Sequence, residues 1–339
     1  MSVPQFEIVF PAKSQFQLQP VGALGRLGAL EVRGPTVCTL VSPGTELAWS
    51  QGDHFPIRPG YAAVFRANEI GSEVIGIEPG VLLFCMGPHR SFQQVDARLA
   101  IPLPPGLEPE TAVLARLVGV PMTTLMTTTA RPGDRVIVCG AGPVGFLAAQ
   151  LFALAGYEVM VVESDPLRRR NVEGHGASPT FASIPIDDPS IVRTVALVVD
   201  CTGDEQMVLD GCAVVRQRGE VVLVGVPWQR KTDISAHAIL DLVFHNYVVL
   251  RSGWEWELPI HSLAFKWDEL LEGYNNSPQS IFSGFRKALA WLATGRISIA
   301  GLSVKVDPRD LEKVYRDLRE RWATSLFVVF DWSLLSDKP

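Results

Sequence analysis

Over the first hundred or so residues the apolar positions come in short runs, "FEIVF", "TVCTLV", "AAVFRA" and "VLLFCM", separated by clusters of proline and glycine. Runs of that length, bounded by turn formers, predict short strands and a β-rich first domain. The stretch "IPLPPGLEPETAVLARL" opens with prolines that suit a linker, and "EPETAVLARLVGVPMTTLM" then takes up a helical period. From Asp134 the pattern changes. "DRVIVCG" is the continuous apolar run of a buried strand, "PVGFLAAQLFALAG" is a helix stopped by Gly156, and "YEVMVVE" is a second strand. "DPLRRRNVEGHG" reads as a short helix, "VALVVDCTG" as a strand, "QMVLDGCAVVRQRG" as a helix, and "EVVLVGV" and "YVVLRSGW" as two more strands. Strands alternating with helices predict a parallel, doubly wound α/β sheet. The tail brings an aromatic-rich stretch, helices in "FRKALAWLATGRI" and "DPRDLEKVYRDLRER", and a closing strand, "SLFVVFDW".

Composition narrows the partners. The chain has 339 residues, 47% of them hydrophobic, enough to bury a large core and to form two domains. A net charge of −6 gives nothing to attract a phosphate backbone or an anionic lipid surface, so nucleic acid and membranes are not expected partners. No apolar run reaches the roughly 20 residues that span a bilayer, and "MSVPQFEIVF" lacks the basic and apolar regions of a signal peptide. The five cysteines (Cys38, Cys85, Cys139, Cys201, Cys212) are scattered and form no CxxC pair. Together these features predict a cytoplasmic protein with reduced thiols and no cysteine-rich structural zinc.

The clearest chemical signal is "VCGAGPVGFLAAQ" (138–150), in which a strand precedes Gly140 and a helix begins after Gly142. Gly140 permits a tight turn, Gly142 lets the backbone approach a pyrophosphate, and Gly145 lets helix and strand pack closely. Pro143 and Val144 open the helix, whose N-terminal N–H groups and partial positive charge face the phosphates. Glu163 ends the second strand roughly 20 residues on, where a carboxylate accepts hydrogen bonds from the adenosine ribose and disfavours a 2′-phosphate. NAD is therefore the expected cofactor. The neighbouring Ser164, Arg168 and Arg169 leave NADP open, since arginines there accommodate a phosphate.

The order of these segments resembles the medium-chain dehydrogenase/reductase family of alcohol and polyol dehydrogenases. The likeness covers nearly the whole chain and rests on "RPGDRVIVCGAGPVG", "VVDCTG" (198–203), "RGEVVLVGVP" (218–227) and the tail helix ending in "ALAWLATGRI". It implies a Rossmann domain over about 116–257 inserted in a GroES-like catalytic domain formed by about 1–115 and 258–339. It also implies that Cys201, Thr202, Gly225 and Val226 lie along the nicotinamide half of the cofactor, and that a homodimer forms through the edge strand near "YVVLRSG". Zinc members of the family carry a Cys-Gly-x-Asp turn and a Gly-His-Glu. Here "SPGTEL" (42–47) and "PGYAAV" (59–64) stand in their places, with Pro43 for the cysteine and Tyr61 and Ala62 for the histidine and glutamate. Catalytic zinc needs three ligands of the His, Cys or carboxylate type, so the expectation is a zinc-free member. The closest-looking subgroup includes the bacteriochlorophyllide hydroxyethyl dehydrogenase.

Without a metal to polarise the substrate oxygen, side chains must handle the proton. Thr45 and Glu46 sit in the turn that replaces the metal loop, Tyr61 replaces the metal histidine, and His89 in "GPHRSF" offers an imidazole that titrates near neutrality. These four are the catalytic candidates, with His54 a further possibility. Each also has a plainer role open to it: Thr45 and Glu46 as turn formers, Tyr61 as a core-edge aromatic, His89 as a structural histidine. Trp254, Trp256, Phe265, Trp267 and Tyr274 would suit the wall of a large, flat or greasy small-molecule substrate, or equally a subunit interface. Three readings stay open at this point. They are a zinc-independent NAD(P)-dependent oxidoreductase acting on a carbonyl/alcohol pair, an enoyl reductase acting on an activated C=C bond, and a non-catalytic nucleotide-binding sensor.

Overall fold

The computed structural model describes residues 5–22, 25–261, 279–320 and 325–335. The chain divides into two compact units: Met1–Arg116 with Leu289–Gly295 and Ile299–Pro339, and Leu117–Ala288 with Arg296–Ser298. The sequence reading places the return to the first domain at 258. Among the described residues, 279–288 belong to the second unit. Phe285 lies so close over Gly119 that a Cβ there would sit 2.4 Å from its ring, and Gly284 packs on Met122. This fixes the start of helix Ile281–Ala293 on helix α3 (Ala115–Thr127), which follows the single-turn α2 (Pro109–Ala112).

The first unit is β-rich, as the short apolar runs predict. Strands β1 (Gln5–Val9) and β2 (Gln17–Val21) form an antiparallel pair. The main sheet runs β15-β16-β3-β4-β6-β8, with β5 (Glu69–Ile70) and β7 (Phe92–Asp96) also on β3. Its centre is the long strand β3 (Glu31–Leu40), whose register shifts between Thr36 and Cys38 against β4 (Ala62–Arg66). Such a bulge bends a strand and re-aims its side chains. Strands β6 (Leu82–Cys85) and β8 (Ala100–Pro102) extend the sheet on the β4 side. On the other side, β15 (Ser303–Val306) and β16 (Phe327–Asp331) come from the end of the chain, with Val329 opposite Leu40 on β3. Ile8, Phe10, Val41, Tyr315, Phe330 and Trp332 form one core cluster, so sequence-distant segments close a single interior.

The second unit carries six parallel strands in the order β11-β10-β9-β12-β13-β14. These are β9 (Arg135–Cys139), β10 (Glu158–Val162), β11 (Thr180–Phe181), β12 (Val195–Asp200), β13 (Val215–Leu223) and β14 (Val249–Ser252). All six residues of β12 are buried, the mark of a parallel strand covered on both faces. Helices α4 (Pro143–Leu154), α5 (Pro166–Gly174), α6 (Glu205–Val214) and α7 (Ala236–His245) make the crossovers. The chain runs outward from β9 to β11, then returns to the far side of β9 and runs to β14. Connections from β9 and β12 therefore leave in opposite directions at adjacent strand ends, which opens a crevice at their carboxyl ends.

Three local expectations change. Helix α6 stops at Val214, and "VRQRG" begins β13 instead of continuing the helix, because Val215 pairs with Val195 before the register shifts at Glu220. "SPGTEL" is the start of a helix, Pro43–Ser50 (α1), with Ser42 as N-cap and Pro43 at the first helical position, where a missing N–H costs nothing. Helix α7 has no counterpart in the sequence reading. No described helix is long and apolar enough to cross a membrane.

Glu220 ties this unit together. One carboxylate oxygen accepts the Thr128 hydroxyl at 3.0 Å and the Thr129 N–H and hydroxyl at 2.5 Å each, and the other accepts Arg251 Nε at 2.9 Å. Burial pushes the carboxyl up, but the Thr129 donors and the Arg251 guanidinium outweigh it and hold the group below its ordinary value. Its stabilising contribution is therefore present above the unfolded carboxyl value of about 4.3 and is lost as pH falls through the lower folded value. Glu220→Gln is expected to cost about 2 kcal/mol at pH 7 and to flatten the acid loss of stability between about pH 5 and 3. Urea midpoints across that range check it, and an unchanged pH dependence refutes it.

Candidate functional site

The glycine turn is built as the spacing requires. Gly140 follows β9 with φ +88°, a left-handed backbone that favours glycine, and a Cβ there would lie 2.8 Å from Thr202 Cγ2. Gly145, in the first turn of α4, packs so closely on the turn that a Cβ would lie 1.8 Å from the Gly140 carbonyl oxygen. Gly142 is the N-cap of α4, with no side chain capping it and Pro143 at the first helical position. The N–H groups of Val144 and Gly145 have no helical acceptor, so the turn presents donors and a partial positive charge to an anion.

Glu163 stands at the end of β10, almost buried. It accepts the Ala141 N–H at 2.7 Å on one oxygen and the Asp165 N–H at 2.9 Å on the other. The acidic side chain thus fixes the glycine turn from below, with the Ser164 hydroxyl also donating to the Asp165-bonded oxygen at 3.5 Å, while the oxygen bonded to Ala141 keeps a second lone pair. Arg168, exposed on α5, brings Nη1 to 4.0 Å from the position of a Gly142 Cβ. Arg169 instead binds main-chain oxygens, donating from Nη1 to the carbonyls of Glu163 at 2.5 Å and Ser164 at 3.0 Å. Across the crevice lie Cys201, Thr202, Gly225 and Val226, after β12 and β13. Burial raises the Cys201 thiol well above its ordinary value, so it is no nucleophile at neutral pH. All eleven sequence-derived cofactor residues therefore sit on the second unit around the carboxyl ends of β9, β10, β12 and β13. A half-open cavity of about 670 Å³ on the same unit, lined by residues including Ala149, Tyr157, His175 and Phe181, does not touch this turn.

The catalytic candidates fare differently. Glu46 and His89 have no solvent exposure. The Glu46 carboxylate accepts the Ser42 N–H at 2.9 Å and the Tyr315 hydroxyl at 2.6 Å, and faces His89 Nε2 at 3.2 Å. His89 Nδ1 lies 2.7 Å from Thr39 Oγ1, which also accepts Trp332 Nε1 at 2.9 Å. With the Nε2 proton on the Glu46 side, Nδ1 accepts the Thr39 hydroxyl, and every donor has an acceptor. Glu46 and His89, two of the four catalytic candidates, are interior members of a hydrogen-bonded network that anchors α1. Tyr315, from helix Leu311–Arg319, is the member that sequence reasoning missed, and 269 positions of separation leave no local signal for it.

Thr45 and Tyr61 remain half-buried, in the first turn of α1 and just before β4. Tyr61 is not a lone aromatic. The Arg116 guanidinium carbon lies 4.1 Å from its ring centroid, and Arg116 is only 4% exposed. A buried cation stacked on an aromatic face is a strong, desolvated contact. Pro43 and Ala62 offer no electron pair to a metal, and this guanidinium adds positive charge beside Tyr61. Among the described residues no three His, Cys, Asp or Glu side chains gather as a metal group. Pro43, Tyr61 and Ala62 thus stand where the resemblance places a cysteine, a histidine and a glutamate, and none of the three is a ligand of the His, Cys or carboxylate type. Arg116, a single arginine in an apolar helix, gave no motif to find. Of the aromatic wall, Trp254 is 65% exposed, whereas Phe265, Trp267 and Tyr274 lie outside the described residues. His54 is exposed beyond α1.

Comparison with known proteins points one way. A family model described as glucose dehydrogenase C-terminus matches residues 110–254. L-galactonate-5-dehydrogenase of Escherichia coli K12 is 29% identical over 133 residues, 36% of this chain and 37% of that protein. The match therefore spans well under two thirds of that relative. Human sorbitol dehydrogenase is 26% identical over 265 residues, 71% of this chain and 73% of that one. Among solved structures, one from Sinorhizobium meliloti 1021, described as a zinc-binding dehydrogenase and bound to NADP, superposes with a TM-score of 0.75. It covers 97% of this chain and 100% of that one at 16% identity, a likeness of fold.

Proposed function

We infer that this chain is a medium-chain dehydrogenase of the alcohol-dehydrogenase-like kind, an NAD(P)-dependent oxidoreductase working on a carbonyl/alcohol pair without zinc; the fold and the partial sequence matches support the first part of this reading. The cradle formed by Gly140, Gly142 and Gly145 over the α4 N-terminus carries the dinucleotide part of this reading. It leaves backbone donors and open space where a pyrophosphate lies. Glu163 is assigned to the adenosine ribose, with Arg168 near the pyrophosphate and open to a 2′-phosphate. Cys201, Thr202, Gly225 and Val226 line the nicotinamide half. Bound there, the cofactor supplies or accepts the hydride.

The Arg116–Tyr61 pair supports the zinc-free part. The Tyr61 hydroxyl is assigned the proton on the substrate oxygen, and Thr45 is assigned its orientation by hydrogen bonding. Arg116 fixes the Tyr61 ring and favours negative charge on its oxygen when the proton leaves. Self-association through the β14 edge belongs to the same reading, since Leu240, Phe244, Tyr247 and Val249 expose a band of apolar surface beside it.

One set of measurements on purified protein tests this. Metal content far below one equivalent, binding of NADH or NADPH by fluorescence, a dimer mass by sedimentation, and turnover of alcohols or ketones that survives chelation are expected. Tyr61→Phe is expected to lower turnover by about 10²–10⁴-fold with dinucleotide affinity unchanged. A zinc ion on which activity depends would remove the metal-free mechanism. Deuterium delivered to a β-carbon would make the protein an enoyl reductase. Tight dinucleotide binding with no turnover on alcohols, ketones or enones would make it a sensor.

A further inference from the structure

We propose that Asp200 is the positioning residue for the nicotinamide half of the dinucleotide, presetting the two turns between which that half lies; this rests on the dinucleotide reading of the glycine turn. Asp200 ends β12 with no solvent exposure. Its Oδ1 accepts the Thr202 N–H at 2.8 Å and the Thr202 hydroxyl at 2.5 Å, and its Oδ2 accepts the Gly203 N–H at 3.1 Å. Its main-chain oxygen accepts the Val224 and Gly225 N–H groups at 2.9 and 2.7 Å. One residue thus holds the turn after β12 with its side chain and the turn after β13 with its backbone.

The turns need such a clamp because they touch. A Cβ on Gly225 would lie 2.5 Å from Gly203 N and 2.7 Å from Thr202 N, and one on Gly203 would lie 2.7 Å from the Val226 oxygen. Thr202 also passes the constraint to the pyrophosphate turn, since its Cγ2 is the atom that a Gly140 Cβ would strike. Further out, the Glu205 carboxylate accepts the Lys231 and Thr232 N–H groups at 3.1 and 2.9 Å, and the Lys231 ammonium donates to the Thr202 carbonyl. The loop after β13 is therefore fixed at both ends, with Trp228 half-exposed on it.

A carboxylate is a costly group to bury at a strand end. Burial pushes the Asp200 carboxyl above its ordinary value, against the Thr202 and Gly203 donors. What the charge provides is two acceptor oxygens aimed at two successive residues. An asparagine has one acceptor oxygen and would set its own N–H₂ against a Thr202 or Gly203 donor. Asp200→Asn should therefore loosen the Cys201–Gly203 turn while leaving the glycine cradle and Glu163 in place.

Calorimetric titration with NADH, NADPH and ADP-ribose, which lacks the nicotinamide, tests the assignment. If NADPH binds more tightly than NADH, 2′-phospho-ADP-ribose replaces ADP-ribose. In Asp200→Asn the reduced dinucleotide is expected to weaken at least tenfold, with the nicotinamide-free fragment within about twofold of wild type. Thr202→Val, which removes the hydroxyl donor alone, should move the same ratio in the same direction by a smaller factor. It carries the test by itself if thermal unfolding shows that Asp200→Asn fails to fold. Equal weakening of both ligands, or no change in either, overturns the positioning role, and so does a wild type that binds the fragment as tightly as the whole dinucleotide. A wild type that binds none of the ligands refutes the dinucleotide reading instead.

Discussion

Gly145→Ala is expected to weaken dinucleotide binding at least 100-fold, about 2.7 kcal/mol, and to lower the thermal midpoint of the second unit. The added methyl would lie 1.8 Å from the Gly140 carbonyl oxygen and 2.9 Å from its carbonyl carbon, with Cys201 Cβ at 3.4 Å. The first two are backbone atoms, so no side-chain rotation relieves the contact. Either α4 moves away from the end of β9 or the turn opens, and both carry the Val144 and Gly145 N–H groups off the pyrophosphate. Gly142→Ala is the matched control. Its φ of −67° suits any residue, and the nearest atom to its added methyl is Arg168 Nη1 at 4.0 Å. That variant should keep wild-type stability and lose affinity only through contact with the ligand. Fluorescence titration and calorimetric melting of the two proteins separate the effects. A Gly145→Ala protein binding NADH within threefold of wild type would contradict the close-packed turn.

The other large effect belongs to the first unit. Glu46→Ala strands three buried donors: the Ser42 N–H, the Tyr315 hydroxyl and the His89 Nε2–H. Each buried donor left without an acceptor costs about 1–3 kcal/mol, and neighbours in one network do not add independently. A loss of roughly 4 kcal/mol is expected, against a total stability of about 5–15 kcal/mol for a typical domain. Tyr315→Phe, which removes one donor and leaves the carboxylate two others, should cost about 1–2 kcal/mol. Urea unfolding followed by tryptophan fluorescence reports both, since Trp332 is itself bonded to Thr39 in the same network. A Glu46→Ala protein within 1 kcal/mol of wild type would show that the network is not closed as described. Retained turnover in His89→Gln would agree with the interior placement of that imidazole.

These two predictions bear on different parts of the sequence, and the contrast marks how legible each part was. The spacing of Gly140, Gly142, Gly145 and Glu163 is local. Each glycine answers a steric demand of one strand, one turn and one helix, so 25 or so consecutive residues carry the whole instruction. The strand–helix alternation after Asp134 was readable for the same reason, with two exceptions: the end of α6 moved, because a strand pairing with Val195 overrode a helical pattern, and α7 went unread. In the first unit the short apolar runs gave their strands correctly. The roles of Glu46 and His89 were not readable, since a buried and a solvent-facing carboxylate have the same letter. What separates them is Tyr315 on a distant helix and Trp332 beyond β16, which close over the pair. Arg116 and Asp200 were passed over on similar grounds. A lone arginine in an apolar helix and an aspartate before a threonine are ordinary in sequence, and become functional candidates only through the ring or the turn they meet.

By itself, then, the sequence determined the parallel sheet, the β-rich unit and the cradle for a dinucleotide, because periodicity and the glycine spacing act over one or two elements. The tertiary structure alone decided which titratable side chains are sealed and which stay half-open: Glu46 and His89 inside a satisfied network, Tyr61 under a buried guanidinium, Asp200 between two turns. Burial and hydrogen-bond satisfaction depend on which distant atoms arrive in the same few ångströms, and no spacing along the chain encodes that.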